Sequence, residues 1–147
     1  MGFGLGAAIG SYFGSGERVA LVTGDGSFGM SLNELATAVS YKVPVVILIF
    51  NNGVLGMVRQ WQTLFFEKHY SETVLDRKTD FVKLAEAFGA SGEVVLSCEE
   101  LENALDRGFK TEGPYVIDCA IDKDEFVLPM LPPGGSSGDI IVEKADS

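Results

Sequence analysis

Apolar positions along the chain switch between two periods. Val19-Ala-Leu-Val-Thr23 is a short apolar run and Val45-Val-Ile-Leu-Ile-Phe50 a stronger one. Both are apolar throughout, as parallel strands buried on two faces are. Between them Leu32, Leu35, Ala36 and Val39 recur at helical spacing, which predicts a helix with one buried face. Ser31-Leu-Asn-Glu34 has capping-box spacing and opens it, and Lys42-Val-Pro44 ends it. Upstream, residues 3–13 read as a helix rich in small residues. Each glycine there costs about 1 kcal/mol, so close approach of another backbone at Gly4, Ala7, Ala8 and Gly10 is expected to offset it.

Downstream, residues 57–66 are predicted helical, with Met57, Val58, Trp61, Leu64 and Phe65 too apolar for a solvated face. Residues 67–78 read as an exposed polar connection carrying a solvent-facing His69. Phe81, Leu84, Ala85 and Phe88 define a further helix, capped by Thr79 or Asp80 and stopped by Gly89. Residues 93–96 form a short strand. Ser97-Cys-Glu-Glu100 is a second capping box, starting a helix with Leu101, Ala104, Leu105 and Phe109 inward. Gly113-Pro114 turns into a strand over 115–121. The chain from Asp122 holds three of the five prolines and is expected to be irregular, frayed near its end. Alternating strands and helices predict an α/β fold: a doubly wound, mostly parallel sheet with helices on both faces, domain 1–133 and an irregular tail 134–147.

Composition narrows the function. A chain of 147 residues with 46% hydrophobic and 22% charged residues suits one globular domain. Eleven Lys and Arg against 21 Asp and Glu give a net charge of −10, with no basic stripe to neutralise a phosphate backbone, which argues against nucleic acid as a partner. Cys98 and Cys119 lack metal-ligand spacing and His69 is the single histidine, which argues against zinc. They read as reduced, partly buried thiols of a cytoplasmic protein. No apolar run reaches the roughly 18 residues of a membrane span, and the glycine-rich start has no cationic region of a signal peptide. It opens as though in mid-domain, so the chain is expected to be a fragment lacking its own first strand.

The chemistry lies where the two strongest strands end. Gly24-Asp25-Gly26-Ser27-Phe28-Gly29 fits the dinucleotide pattern G-x-G-x-x-G. That reading needs an acid at the end of the next strand for the ribose hydroxyls, where this chain has Asn51-Asn52. It also sets the Asp25 charge against a pyrophosphate, which is repulsive without a cation. Asp25 and Asn52 therefore read as two ligands of one divalent cation bridging to a diphosphate. Magnesium takes about six oxygens, typically one or two carboxylates plus phosphates. The carbonyl of Val54 can complete the set, and the N–H groups of Gly26 and Ser27 can hold phosphate oxygens. The plain alternative is an Asp-Gly turn and an Asn pair that breaks a strand.

Gly24-Asp25-Gly26 followed by Asn51-Asn52 resembles the thiamine diphosphate motif. Gly56-Met-Val-Arg-Gln-Trp-Gln-Thr-Leu-Phe65, Val127-Leu-Pro-Met130 and the opening Gly2–Gly10, with Gly6 where the family carries proline, resemble the large catalytic subunit of acetolactate synthase (acetohydroxyacid synthase). The resemblance runs from Met1 to about Pro133. It implies decarboxylation of pyruvate on thiamine diphosphate and joining of the product to a second 2-keto acid, in branched-chain amino acid biosynthesis. By matching, Asp25, Asn52 and Val54 hold magnesium and Gly26 and Ser27 the diphosphate. Met1 lies beside the cofactor rings, and Met57, Val58 and Trp61 line the substrate pocket; for Trp61 and its neighbours a plain core role stands equally open.

The resemblance also implies what other parts supply. No catalytic residue is expected here, because the glutamate that activates the cofactor lies on a pyrimidine-binding domain of the neighbouring subunit. A middle domain binds FAD, a regulatory small subunit is a possible partner, and the full-length protein is a homo-oligomer. The chain alone is expected to be inactive, with an exposed apolar surface where the partner domain sits. Two other readings are another thiamine diphosphate enzyme, such as a pyruvate oxidase or glyoxylate carboligase, and a non-catalytic binding module.

Overall fold

Val45, Ile47 and Ile49 point to one side of their strand and Val46 and Leu48 to the other, all buried, so this strand needs a packed layer on each face. A computed structural model of the chain, which describes residues 1–76 and 78–143, supplies both. Among the described residues four strands, β1 (Val19–Gly24), β2 (Val45–Asn51), β3 (Ser91–Val95) and β4 (Tyr115–Ala120), form one parallel sheet in the order β1-β2-β4-β3. The helices are α1 (Gly4–Ser15), α2 (Asp25–Phe28), α3 (Leu35–Ser40), α4 (Gly56–Phe65), α5 (Phe81–Phe88) and α6 (Cys98–Gly108).

One core joins Leu5, Ala8 and Ile9 of α1, Leu35 and Ala38 of α3 and Phe81 and Ala85 of α5 to Val45, Ile47, Ile49 and Val116. The other joins Ala104 of α6 to Val46, Leu48, Ile117 and Cys119. Chain direction explains the split. The steps β1 to β2 and β2 to β3 run one way across the sheet and β3 to β4 runs back, so right-handed crossovers put α6 alone on the opposite face. The predicted doubly wound α/β sheet is the one observed. Each fully buried aliphatic side chain of β2 contributes about 1.5–3 kcal/mol.

Several local expectations are corrected. β1 is an edge strand and alternates, with Ala20 and Val22 exposed. Ser31 makes no capping bond, and Leu32–Glu34 form a 3-10 turn before α3. Of the small residues of α1, only Gly4 faces a close neighbour among its glycines: a Cβ there would lie 2.9 Å from Leu21 Cδ1, whereas Gly6 and Gly10 face open space. β3 starts at Ser91, and Phe109 is exposed just past the end of α6. Cys98 is exposed and Cys119 buried. Asp80 rather than Thr79 caps α5, accepting from Lys83 N, and Gly89 ends it at φ 91°.

The connection over 67–78 is not simply exposed. Thr73 is buried, and residues 73–75 run antiparallel to 53–55: Leu55 N donates to Thr73 O and Leu75 N to Gly53 O, both at 2.8 Å. The tail is tied down too, because Met130 and Ile141 exchange backbone bonds at 2.9 and 2.8 Å. Residues 144–147 of the expected irregular tail lie outside the described residues.

Candidate functional site

β1 and β2 end side by side, Gly24 level with Phe50, so the segments that follow them share the carboxyl edge of the sheet. β1 runs straight into α2, whose first residue is Asp25. β2 runs into Asn51, Asn52 and Gly53, which turns at φ 66°. Around this junction a cavity of about 230 Å³ is lined by Met1, Gly24, Asp25, Gly26, Ser27, Asn52, Val54, Met57 and Val58, with Phe50, Leu55 and Gly56. Every residue predicted to hold cofactor or metal lies on this one wall.

Two glycines shape it. A Cβ on Gly26 would lie 3.2 Å from Leu55 Cδ2 and Leu75 Cδ1 and 3.5 Å from Met1 Cε. A Cβ on Gly56 would lie 2.9 Å from Asn52 Nδ2, so glycine lets the Asn52 amide lie against the start of α4. Asn52 Oδ1 accepts the Val54 N–H at 3.1 Å, a local turn that fixes the side chain and leaves the oxygen a second lone pair. Ser27 Oγ accepts the Gly2 N–H at 3.0 Å, drawing the N-terminal segment over the site. No side chain caps α2, and the first-turn amides of a helix have no acceptor within it.

Helix α4 inverts the usual arrangement. Its buried residues are Arg59 and Gln60, while Met57, Val58 and Trp61 are 52%, 48% and 37% exposed. These three, with Gln62, Phe66 and His69, line a second cavity of about 510 Å³, so Trp61 is not core and His69, though exposed as predicted, borders a pocket. Buried polar groups need partners, and Arg59 and Gln60 find them in the chain after β4. Arg59 Nε donates to Asp124 Oδ1 at 2.6 Å, which pushes the guanidinium further towards its charged form, and its Cζ lies over the Tyr70 ring, 4.0 Å from the centroid. Gln60 donates to Val127 O at 3.1 Å and accepts from Val127 N at 2.8 Å, as a neighbouring strand would. The two segments 56–65 and 127–130, recognised separately in the sequence, are clasped together here.

Arg59 and Gln60 carry the resemblance without an assigned site role, and Asp118 has no part in it. Asp118 lies in mid-sheet opposite Ile49 and Val94, with Oδ2 accepting from Asn51 Nδ2 at 3.4 Å and Oδ1 buried without a hydrogen-bond partner. Burial pushes its carboxyl above the ordinary value, the Asn51 bond pulls it back, and the charges of Asp25 and Asp80 push it up again. A polar residue inside an apolar strand run was the one available signal.

The residues fit a metal-bridged diphosphate. Among the described residues no group of three or more His, Cys, Asp or Glu side chains can hold a metal, so a cation at Asp25 must draw oxygens from an amide, a main-chain carbonyl and the ligand itself. A carboxylate, the Asn52 amide oxygen and the Val54 carbonyl are the hard donors that magnesium prefers. Leu55, Leu75 and Met1 close over Gly26 beside them, leaving no room for a side chain there.

The acetolactate synthase isozyme 2 large subunit of Escherichia coli (strain K12) is 43% identical over 142 residues, 96% of this chain and 26% of that protein. The mitochondrial acetolactate synthase catalytic subunit of Saccharomyces cerevisiae is 46% identical over 140 residues, 95% of this chain and 20% of the relative. The chain thus spans about a quarter of the length of the curated relatives it matches. The structure of the thiamine diphosphate-dependent 4-hydroxybenzoylformate decarboxylase of Rhodococcus jostii RHA1 superposes with a TM-score of 0.77 at 32% identity, over 83% of this chain and 23% of that one. A family model described as thiamine pyrophosphate enzyme, C-terminal TPP binding domain, matches residues 1–119. The chain belongs to the thiamine pyrophosphate enzyme family, as its C-terminal cofactor-binding domain.

Proposed function

We propose that the chain is the diphosphate- and magnesium-holding domain of an acetolactate synthase large subunit, which decarboxylates pyruvate and joins the product to a second 2-keto acid. The observation that carries the reading is the convergence of Met1, Gly24–Ser27, Asn52, Val54 and Met57 on one cavity, beside a second, larger one bordered by Met57, Val58 and Trp61. Thiamine diphosphate, when bound, supplies the nucleophilic carbon and the electron sink for decarboxylation. The residues of this chain bind and orient. Asp25, Asn52 and the Val54 carbonyl hold magnesium, and the amides of Gly26 and Ser27 take diphosphate oxygens. Met1 and Met57 pack against the rings. Val58 and Trp61 exclude water and set the room for the second keto acid.

On this reading the activating glutamate comes from a pyrimidine-binding domain of a neighbouring subunit, FAD from a middle domain, and the working protein is a cytoplasmic homo-oligomer serving branched-chain amino acid biosynthesis, with a regulatory small subunit as a further partner. Identities of 43% and 46% to acetolactate synthases support the synthase over other thiamine diphosphate enzymes. The superposed decarboxylase favours a second reading, decarboxylation without joining. Full-length protein given pyruvate, thiamine diphosphate and magnesium decides between them. Acetolactate is the expected product; acetaldehyde alone supports the second reading, and turnover indifferent to magnesium defeats both. The 147-residue chain by itself is expected to form neither.

A further inference from the structure

Asp118 sits where an apolar residue would pack without penalty. Its neighbours across the sheet are Ile49 and Val94, its face carries Val116, Ile47 and Ile49, and it is 8% exposed. One carboxylate oxygen is buried with no partner, an arrangement that folding alone disfavours. Its other oxygen accepts from the side chain of Asn51. That residue is the last of β2, and its own carbonyl accepts the Ile121 N–H at 3.0 Å. β4 and the residue that follows it therefore grip Asn51 twice, by its main chain through Ile121 and by its side chain through Asp118. The next residue, Asn52, lies past the end of β2 and is the first that strand pairing does not hold.

We infer that Asp118 and Asn51 are positioning residues for Asn52: the buried carboxyl fixes the Asn51 amide and, through it, the backbone step that aims Asn52 into the cavity beside Asp25. The inference rests on the proposal that Asp25 and Asn52 are the cation ligands. Neither Asp118 nor Asn51 lines the cavity, so their effect passes through Asn52.

The test is a magnesium chloride titration of thiamine diphosphate binding by full-length protein, followed calorimetrically, alongside melting of the protein without metal. Asp118→Ala and Asn51→Ala are each expected to raise the half-saturating magnesium about tenfold to a hundredfold. The double variant should do no worse than either single one, because both remove the same grip. Asp118→Asn, which keeps an oxygen for Asn51, should stay close to wild type. An unchanged magnesium midpoint in both alanine variants, with only the melting temperature moved, overturns the inference. So do additive effects in the double variant. Asp25→Asn separates the two ideas. If it raises the midpoint while Asp118→Ala does not, the positioning role alone fails; if it leaves the midpoint unchanged, the ligand assignment fails and the inference with it.

Discussion

At the carboxyl edge of the sheet β1 runs into α2 and β3 runs into α6, and the two junctions satisfy their first-turn amides in different ways. At α6, Ser97 Oγ accepts the Glu100 N–H at 3.2 Å while Glu100 Oε2 reaches back to the Leu96 N–H at 2.7 Å, closing the helix start with its own side chains. At α2 the residue before the helix is Gly24, no side chain caps the turn, and Ser27 Oγ is engaged by Gly2 instead. The cavities beside them are both mainly apolar: the one at α6, about 280 Å³, is lined by groups such as Phe50, Val95, Leu96, Cys98 and Cys119, while the one at α2 adds the carboxylate of Asp25 and the amide of Asn52 to Met1, Leu55, Met57 and Val58. On the proposed function, the start of α6 caps itself for the fold and the start of α2 leaves its amides to the diphosphate.

The largest expected effect falls on the open junction. In full-length protein Asp25→Asn should weaken magnesium-dependent cofactor binding at least about 100-fold, since it removes the only charge among the proposed ligands. Binding calorimetry reads this, and unaltered affinity would erase the contrast between the two junctions. Gln60→Ala should cost about 1–3 kcal/mol in denaturant unfolding, because the Val127 amide and carbonyl lose their partner inside the clasp. It should also speed proteolysis after β4. Ser97→Ala, the counterpart mutation at the closed junction, should cost about 1 kcal/mol and leave cofactor affinity unchanged.

The smallest effect concerns the ion pair behind α6. Arg107 donates to Glu93 at 2.6 and 2.8 Å and Tyr115 Oη donates at 2.6 Å, holding the Glu93 carboxyl below its ordinary value, chiefly through the Arg107 bond. A depressed folded value means that the contribution exists above the unfolded carboxylate range and fades as pH falls through the folded one. Glu93→Gln should therefore lower the melting temperature by about 2 °C near neutral pH. The gap to wild type should close in acid below about pH 4. A gap that persists unchanged in acid would mean that packing, not charge, holds β3 to α6.

What was legible in the sequence was local. Asp25 and Asn52 stand out because each follows an apolar strand run directly, and strand ends in a parallel sheet share one edge whatever the details of packing. The strand and helix order and the Ser97 cap follow from spacing in the same way, whereas a pocket role for Met57, Val58 and Trp61 was implied by the family resemblance alone. Arg59 and Gln60 were not legible. Helical periodicity assigns polar residues to solvent, and only partners 65 and 67 positions away, Asp124 and Val127, make their burial tolerable and turn Trp61 outward. Thr73 became buried because 73–75 return antiparallel to 53–55. Asp118 gained its meaning from Asn51, 67 positions earlier. Sequence alone determined which groups can bind, since chemistry resides in the residue. Tertiary structure decided which groups are held still enough to do so, because burial and hydrogen bonding between distant segments exist only once the chain has closed on itself.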